Sequence, residues 1–236
     1  MPLMHWIVTS TIKRATRVLC CVDDVELAKI PARGPLILVT NHVNFLDAPV
    51  MYTHLQPRPV TAFAKTESWD SPWMGRLFDL WDVIPLERGA ADTTAMRKGL
   101  QVLQQGKILA ISPEGTRSGN GCLLPGHPGV IPVALHSGAP LLPVAFYGHE
   151  VFKDQLRRLQ RTDFHISVGQ QFFLDIPQGK TTRAIRQAIT DEIMYRLATL
   201  LPPAYRGAYA NLAAASANYL RFTPATLKRE YPITAK

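Results

Sequence analysis

Five strand-like runs, Leu36–Val39, Val60–Ala64, Ile108–Ile111, Leu141–Phe146 and His165–Val168, alternate with stretches of helical patterning, and this alternation limits the fold more than any other feature. The helical patterns fall over Ala48–Leu55, Asp92–Gln105, a turn or two within Gly129–Ser137, and Thr181–Leu200. Strands this apolar need cover on both faces, and helices between them supply it, as in parallel sheets built from strand–helix–strand units. The expected fold class is therefore α/β, with a mostly parallel central sheet flanked by helices. Ahead of the sheet, Met4, Val8, Ile12, Ala15, Leu19 and Val22 recur at helical spacing while Ser10, Lys13, Arg14 and Arg17 take other faces, which predicts an amphipathic N-terminal helical segment. A further helix is expected over Tyr205–Tyr219.

The chain of 236 residues suits one medium domain, and with 47% hydrophobic and 19% charged residues it can bury a cooperative core, which excludes disorder as the default. A net charge of +8 favours an anionic partner: a phospholipid surface, a phosphorylated substrate, an acidic carrier protein or nucleic acid. The basic residues are scattered, with no aromatic-interleaved stripe, so nucleic acid is not expected. Three cysteines, two of them adjacent at Cys20 and Cys21, make no disulfide framework and point to a reducing compartment. The uncharged stretch 128–148 is interrupted by Pro132, Pro140 and Pro143 and by Gly138, so it reads as a helix, a turn and a strand rather than a membrane span. The N-terminal apolar run is too short for a clean signal peptide, and a soluble or peripherally bound protein is expected.

Two segments carry chemistry. In "TNHVNFLD", His42 is followed by Asp47 just after a strand-like run, at a spacing that lets a turn fold the carboxylate back onto the imidazole. The same spacing recurs at His149 and Asp154, but "GHEVFKD" is charged and expected to be solvated, so that pair is read as a bystander, and His149→Ala is expected to leave activity within a few-fold. In "SPEGTRS", Ser112–Ser118, Gly115 permits a sharp turn, Arg117 offers a planar fork suited to phosphate, and Glu114 can fix that guanidinium or bond a substrate hydroxyl. The plain alternative is a loop ion pair between Glu114 and Arg117. Both segments follow strands, and in a parallel sheet the C-terminal ends of strands gather ligands, so the two should face one cleft.

These blocks resemble the first and third motifs of the glycerolipid acyltransferase family, and others follow in the family's order. "AKTES" (Ala64–Ser68) resembles its Ala-Lys-x-Glu block, "VIPLERG" (Val83–Gly89) its second motif, and "APLLPVAF" (Ala139–Phe146) its fourth. The likeness runs from about Ile30 to Gly148. Asn44, Asp82, Ser112 and the Lys-free "PGHPG" (Pro125–Gly129) depart from the usual pattern. The resemblance implies acyl transfer from a thioester, acyl-CoA or acyl carrier protein, to the free hydroxyl of a lysophospholipid. The acceptor it suggests first is 1-acylglycerol-3-phosphate, giving phosphatidate in phospholipid biosynthesis, with another lysolipid as the alternative.

On that reading His42 is the general base, Asp47 its orienting carboxylate, Arg88 and Arg117 the phosphate holders, and Asn41, Glu114, Gly115 and Thr116 the remaining substrate-binding residues. No metal and no cofactor are implied. The implied organisation is a membrane-associating segment over 1–24, an α/β acyltransferase domain over 25–201 and a C-terminal helical extension over 202–236. An anionic membrane surface is the expected partner, and the expected location is cytoplasmic, peripheral on the cytoplasmic face of a membrane. Two rivals from other classes are weaker. A serine hydrolase calls for a Gly-x-Ser-x-Gly elbow, which the chain lacks, and a non-enzymatic acidic-lipid-binding module would not need His42.

Overall fold

The computed structural model describes residues 3–87, 92–176 and 181–222. Among these residues the centre is a nine-stranded sheet. In chain order the strands are β1 (Cys20–Asp23), β2 (Leu36–Thr40), β3 (Val60–Lys65), β4 (Ile84–Leu86), β5 (Ile108–Ile111), β6 (Leu141–Tyr147), β7 (Thr162–Val168), β8 (Phe172–Leu174) and β9 (Leu220–Phe222). The helices are α1 (Leu3–Leu19), α2 (Asp47–His54), α3 (Pro72–Leu80), α4 (Thr93–Gln104), α5 (Val130–Ser137), α6 (Phe152–Arg157) and α7 (Arg183–Leu200). The main path runs β1-β7-β6-β2-β5-β3-β4, with β8 joined to β6 and β9 to β8. Pairing is parallel from β6 through β2, β5 and β3 to β4, and antiparallel where β7 and β8 meet β6.

Strand β2 is buried at every residue because it lies between β5 and β6 with helices over both faces. Its alternation sends Ile37 and Val39 into one core with Leu103 of α4, Ile131 of α5 and Ile193 of α7. Leu36 and Leu38 enter the other, with Val50 and Met51 of α2, Trp81 and Phe164. Helix starts follow local chemistry. Asp92 caps α4 by accepting from the Ala95 amide at 2.8 Å, and Thr182 caps α7 by accepting from Ile185 at 3.2 Å. Gly138, at φ 61°, ends α5 in the left-handed region that only glycine enters without strain.

The two ends of the chain differ from expectation. The first helix is present, but the line it buries runs through Thr9 and Thr16 rather than along the apolar stripe. Thr9 receives the Trp81 indole N–H at 3.4 Å, and the Thr16 hydroxyl lies 3.1 Å from His54 Nε2, whose Nδ1 is 2.7 Å from Asp24. Hydroxyl groups face inward while Leu3, Met4, Trp6 and Ile7 stay exposed. The segment's last residues form β1, paired with β7.

No long helix covers Tyr205–Tyr219. Three short 3-10 turns at Pro203–Tyr205, Gly207–Tyr209 and Leu212–Ala214 lead instead into β9. The buried Glu192 carboxylate of α7 organises that path by accepting from the Ser216 hydroxyl at 2.7 Å and from the Asn218 and Tyr219 amides at 2.8 and 3.0 Å. A helix would have used those amides internally.

Candidate active site

Three neighbouring strands, β6, β2 and β5, run parallel and end on one edge of the sheet. Each releases a loop there: the turn starting at His149 follows β6, the segment containing His42 and Asp47 follows β2, and the segment containing Glu114 and Arg117 follows β5. The expected meeting of the two motifs at one edge is what the topology produces.

Within the β2 loop, His42 Nδ1 lies 2.6 Å from Asp47 Oδ2. Asp47 opens α2, and the same oxygen accepts from the Val43 and Asn44 amides at 2.8 and 3.1 Å, so the carboxylate clamps the loop as well as the ring. The four-residue spacing works because the chain turns at once into a helix, folding the Asp47 side chain back over the turn. His42 is 29% exposed at its side chain and Asp47 only 7%, so the imidazole is accessible while its partner is withdrawn from water. Burial alone would raise the Asp47 carboxyl, but the hydrogen bonds from His149 and His42 outweigh it and hold the group below its ordinary value. With Nδ1 occupied by a carboxylate, Nε2 is the ring atom left to take a proton.

Glu114 is 2% exposed and makes no ion pair with Arg117 among the described residues. Its oxygens accept instead from the His42 amide and the Leu124 amide, both at 3.1 Å. The Ser118 amide donates to His42 O at 2.8 Å and the Gly119 amide to Val43 O at 3.0 Å, so the two loops are bonded backbone to backbone. The Thr40 and Ser112 hydroxyls meet at 3.0 Å below them. Burial pushes the Glu114 carboxyl up to about 7, against the two amide donors and with a smaller contribution from the Asp47 charge. Glu114 thus joins the motifs to each other, its carboxylate meeting backbone amides rather than the Arg117 guanidinium among the described residues.

Asn41, too, is engaged by backbone. It is 2% exposed, and its amide pairs with the Phe146 backbone, donating to the carbonyl and accepting from the N–H, both at 2.8 Å. This pair ties the end of β2 to the end of β6. Gly115, Thr116 and Arg117 are exposed on the same loop as Glu114, with Gly115 at φ 65°. Arg117 has no carboxylate partner among the described residues. Arg88 lies outside the described residues.

Sequence reasoning missed His149. It is not solvated and does not meet Asp154, which is exposed and bonds Arg157 at 3.1 Å. The His149 ring is fully buried, and its Nε2 lies 2.5 Å from Asp47 Oδ1, so one carboxylate holds two imidazoles. Nothing local in "GHEVFKD" signals this, because the contact depends on β6 lying beside β2.

Among solved structures, a 1-acyl-sn-glycerophosphate (LPA) acyltransferase, PlsC, from Thermotoga maritima has the same fold, with a TM-score of 0.60 and 20% identity over 83% of this chain and 78% of that one. In sequence the chain is 23% identical over 168 residues to a 1-acyl-sn-glycerol-3-phosphate acyltransferase of Bacillus subtilis, covering 70% of this chain and 82% of that protein. It is 34% identical over 115 residues to the protein of that name from Limnanthes alba, where it covers 48% of this chain and 41% of the relative. The model of the family described as Acyltransferase matches residues 21–147, more than half of the chain and the span that carries His42, Asp47 and Glu114, and the chain belongs to that family.

Proposed function

We propose that this chain transfers a fatty acyl group from an acyl thioester to the free hydroxyl of 1-acylglycerol-3-phosphate, forming phosphatidate. The observation that carries the reading is the accessible His42 imidazole held at Nδ1 by the buried Asp47, 2.6 Å away. An alcohol is a weak nucleophile at neutral pH, and a base that takes its proton during attack accelerates the reaction by about 10²–10⁴-fold. In the reaction the acceptor hydroxyl gives its proton to His42 Nε2 while its oxygen attacks the thioester carbonyl. The tetrahedral centre then collapses, the C–S bond breaks, and the imidazolium returns the proton to the departing thiolate. Asp47 fixes the ring tautomer and offsets the imidazolium charge. The nucleophile is the substrate, so no acyl-enzyme forms.

Acyl-CoA and acyl carrier protein are both acidic donors compatible with a chain of charge +8. On the acceptor side, the exposed Arg117 is suited to a terminal phosphate, with Arg88 as its partner. Losing a charge-assisted hydrogen bond to that phosphate in Arg117→Ala should lower kcat/KM for the acceptor by about 10- to 100-fold, mostly through KM. Steady-state kinetics with acceptor varied at saturating donor checks this, and an unchanged acceptor KM moves the phosphate site elsewhere.

A peripheral position on the cytoplasmic face of a membrane fits the N-terminal helix. Among the described residues no helix is long and apolar enough to cross a membrane. The exposed Leu3, Met4, Trp6 and Ile7 of α1, followed by Lys13, Arg14 and Arg17, suit an anionic interface. Deleting residues 1–22 would remove most of β1 and the Thr16–His54 contact, so point substitution is the cleaner test. Leu3→Glu with Trp6→Glu should weaken binding to phosphatidylglycerol-rich vesicles more than tenfold, since burying each such side chain contributes up to about 1.5–3 kcal/mol, and should leave thermal unfolding unchanged. Equal co-sedimentation of both proteins would remove α1 from the membrane contact.

The function itself is tested by incubating purified protein with labelled acyl-CoA or acyl carrier protein and a panel of lysolipids. Labelled phosphatidate is the expected product. Preferential labelling of a lyso-aminolipid would reassign the acceptor, and absence of transfer to every acceptor would overturn the reading.

A further inference from the structure

We propose that His149 is a positioning residue for acyl transfer, donating from Nε2 to Asp47 Oδ1 so that the oxygen facing His42 keeps one orientation and the charge available to the base is divided between two rings. The inference rests on the assignment of His42 as the base. Asp47 Oδ2 receives His42 Nδ1–H and the Val43 and Asn44 amides, and Oδ1 receives His149 at 2.5 Å. Without His149, Oδ1 of a buried carboxylate loses the donor that faces it, and such a group rotates to find a partner while its undivided charge falls on His42.

The surroundings of His149 are shaped for this contact. Its ring stacks on Phe164 with centroids 4.0 Å apart and planes at 20°. Its carbonyl accepts from Asn44 Nδ2 at 2.8 Å, so the loop that carries Asp47 also grips the backbone of His149. Gly148, at φ 92°, turns the chain where an added Cβ would sit 3.0 Å from Asp163 O, which allows the ring to enter directly after β6. His149 Nδ1 is buried with no hydrogen-bond partner among the described residues, which puts the ring proton on Nε2, toward Asp47.

Among the described residues, the titratable groups around the carboxylate come from three elements: His42 on its own loop, His149 after β6, and Glu114 after β5, whose carboxylate accepts the His42 amide. Glu150, next in the chain, is engaged by the Tyr205 hydroxyl at 2.7 Å. The Phe164 and Phe152 side chains beside these loops carry no charge.

His149→Phe keeps a ring against Phe164 and removes the donor, whereas His149→Gln returns an amide N–H at similar reach. The Phe variant should lose about 10- to 100-fold in kcat, the range seen when an imidazole loses its orienting network, with little change in acceptor KM. The acid limb of its pH–rate profile should move to higher pH, because an Asp47 with one donor fewer holds a proton on the His42 ring more strongly. The Gln variant should return rate and profile to within about threefold of the parent. Independently of any variant, the parent labelled with 15N-histidine should show two strongly hydrogen-bonded ring protons far downfield, one on His42 Nδ1 and one on His149 Nε2. A folded Phe variant with the parent rate and profile, a folded Gln variant that rescues nothing, or a single downfield proton overturns the inference. In each of those cases an inactive His42→Ala control leaves the proposed function standing, and an active one removes both.

Discussion

His42→Ala is expected to lower kcat/KM by about 10²–10⁴-fold, the contribution of a placed general base to attack by an alcohol. The fold should persist, because the loop is held by other contacts. The His42 amide still donates to Glu114, the Ser118 amide still donates to the residue 42 carbonyl, and Asp47 still accepts from Val43 and Asn44. The side chain is part-exposed, so its removal opens no sealed cavity. Thermal unfolding within a few degrees of the parent, together with acyl transfer near the detection limit, is the outcome that matches the geometry. A folded variant with near-parent turnover would mean that the base lies elsewhere and that the His42–Asp47 pair only shapes the loop.

Asp47→Asn should be more damaging, because it affects chemistry and stability together. An amide presents one acceptor and one donor where the native group presents two acceptors to four N–H groups. Whichever way it turns, an NH2 confronts the donors on one side, and His42 is freed to take the wrong tautomer. Replacing a triad carboxylate by its amide in this way costs about 10⁴-fold. Because the folded Asp47 carboxyl sits below its ordinary 3.8, the unfolded chain binds that proton more readily. Its contribution to stability is therefore present above that value and is lost as the pH falls through the lower folded value. The stability gap between parent and Asn variant should be widest near neutral pH and close on acidification, as measured by thermal unfolding across a pH series. A gap independent of pH would show that Asp47 contributes as a neutral spacer.

The central strands of the sheet and the place of the site can be read from the order of residues. Runs such as Leu36–Val39 and Leu141–Phe146 are apolar at consecutive positions, a pattern stable only when both faces are covered, and they form the buried β2 and β6. The His42–Asp47 contact was legible because it is local: four residues and one turn lie between the partners. What depends on which strands become neighbours emerges only once the chain has folded. The short strands β1, β4, β8 and β9 carry too few residues for a period to show and exist because adjacent strands supply their hydrogen bonds. The Tyr205–Tyr219 helix was lost to a buried glutamate that outcompeted intrahelical bonding for the same amides. Asn41 and Glu114 look like substrate ligands in a string of polar residues, yet each is consumed by backbone brought to it by β6 or β2. His149 stands 102 residues from Asp47, and its four-residue spacing to Asp154 pointed to the wrong carboxylate. A buried ring takes the acceptor that the sheet places beside it, and the order β6-β2-β5 put Asp47 there.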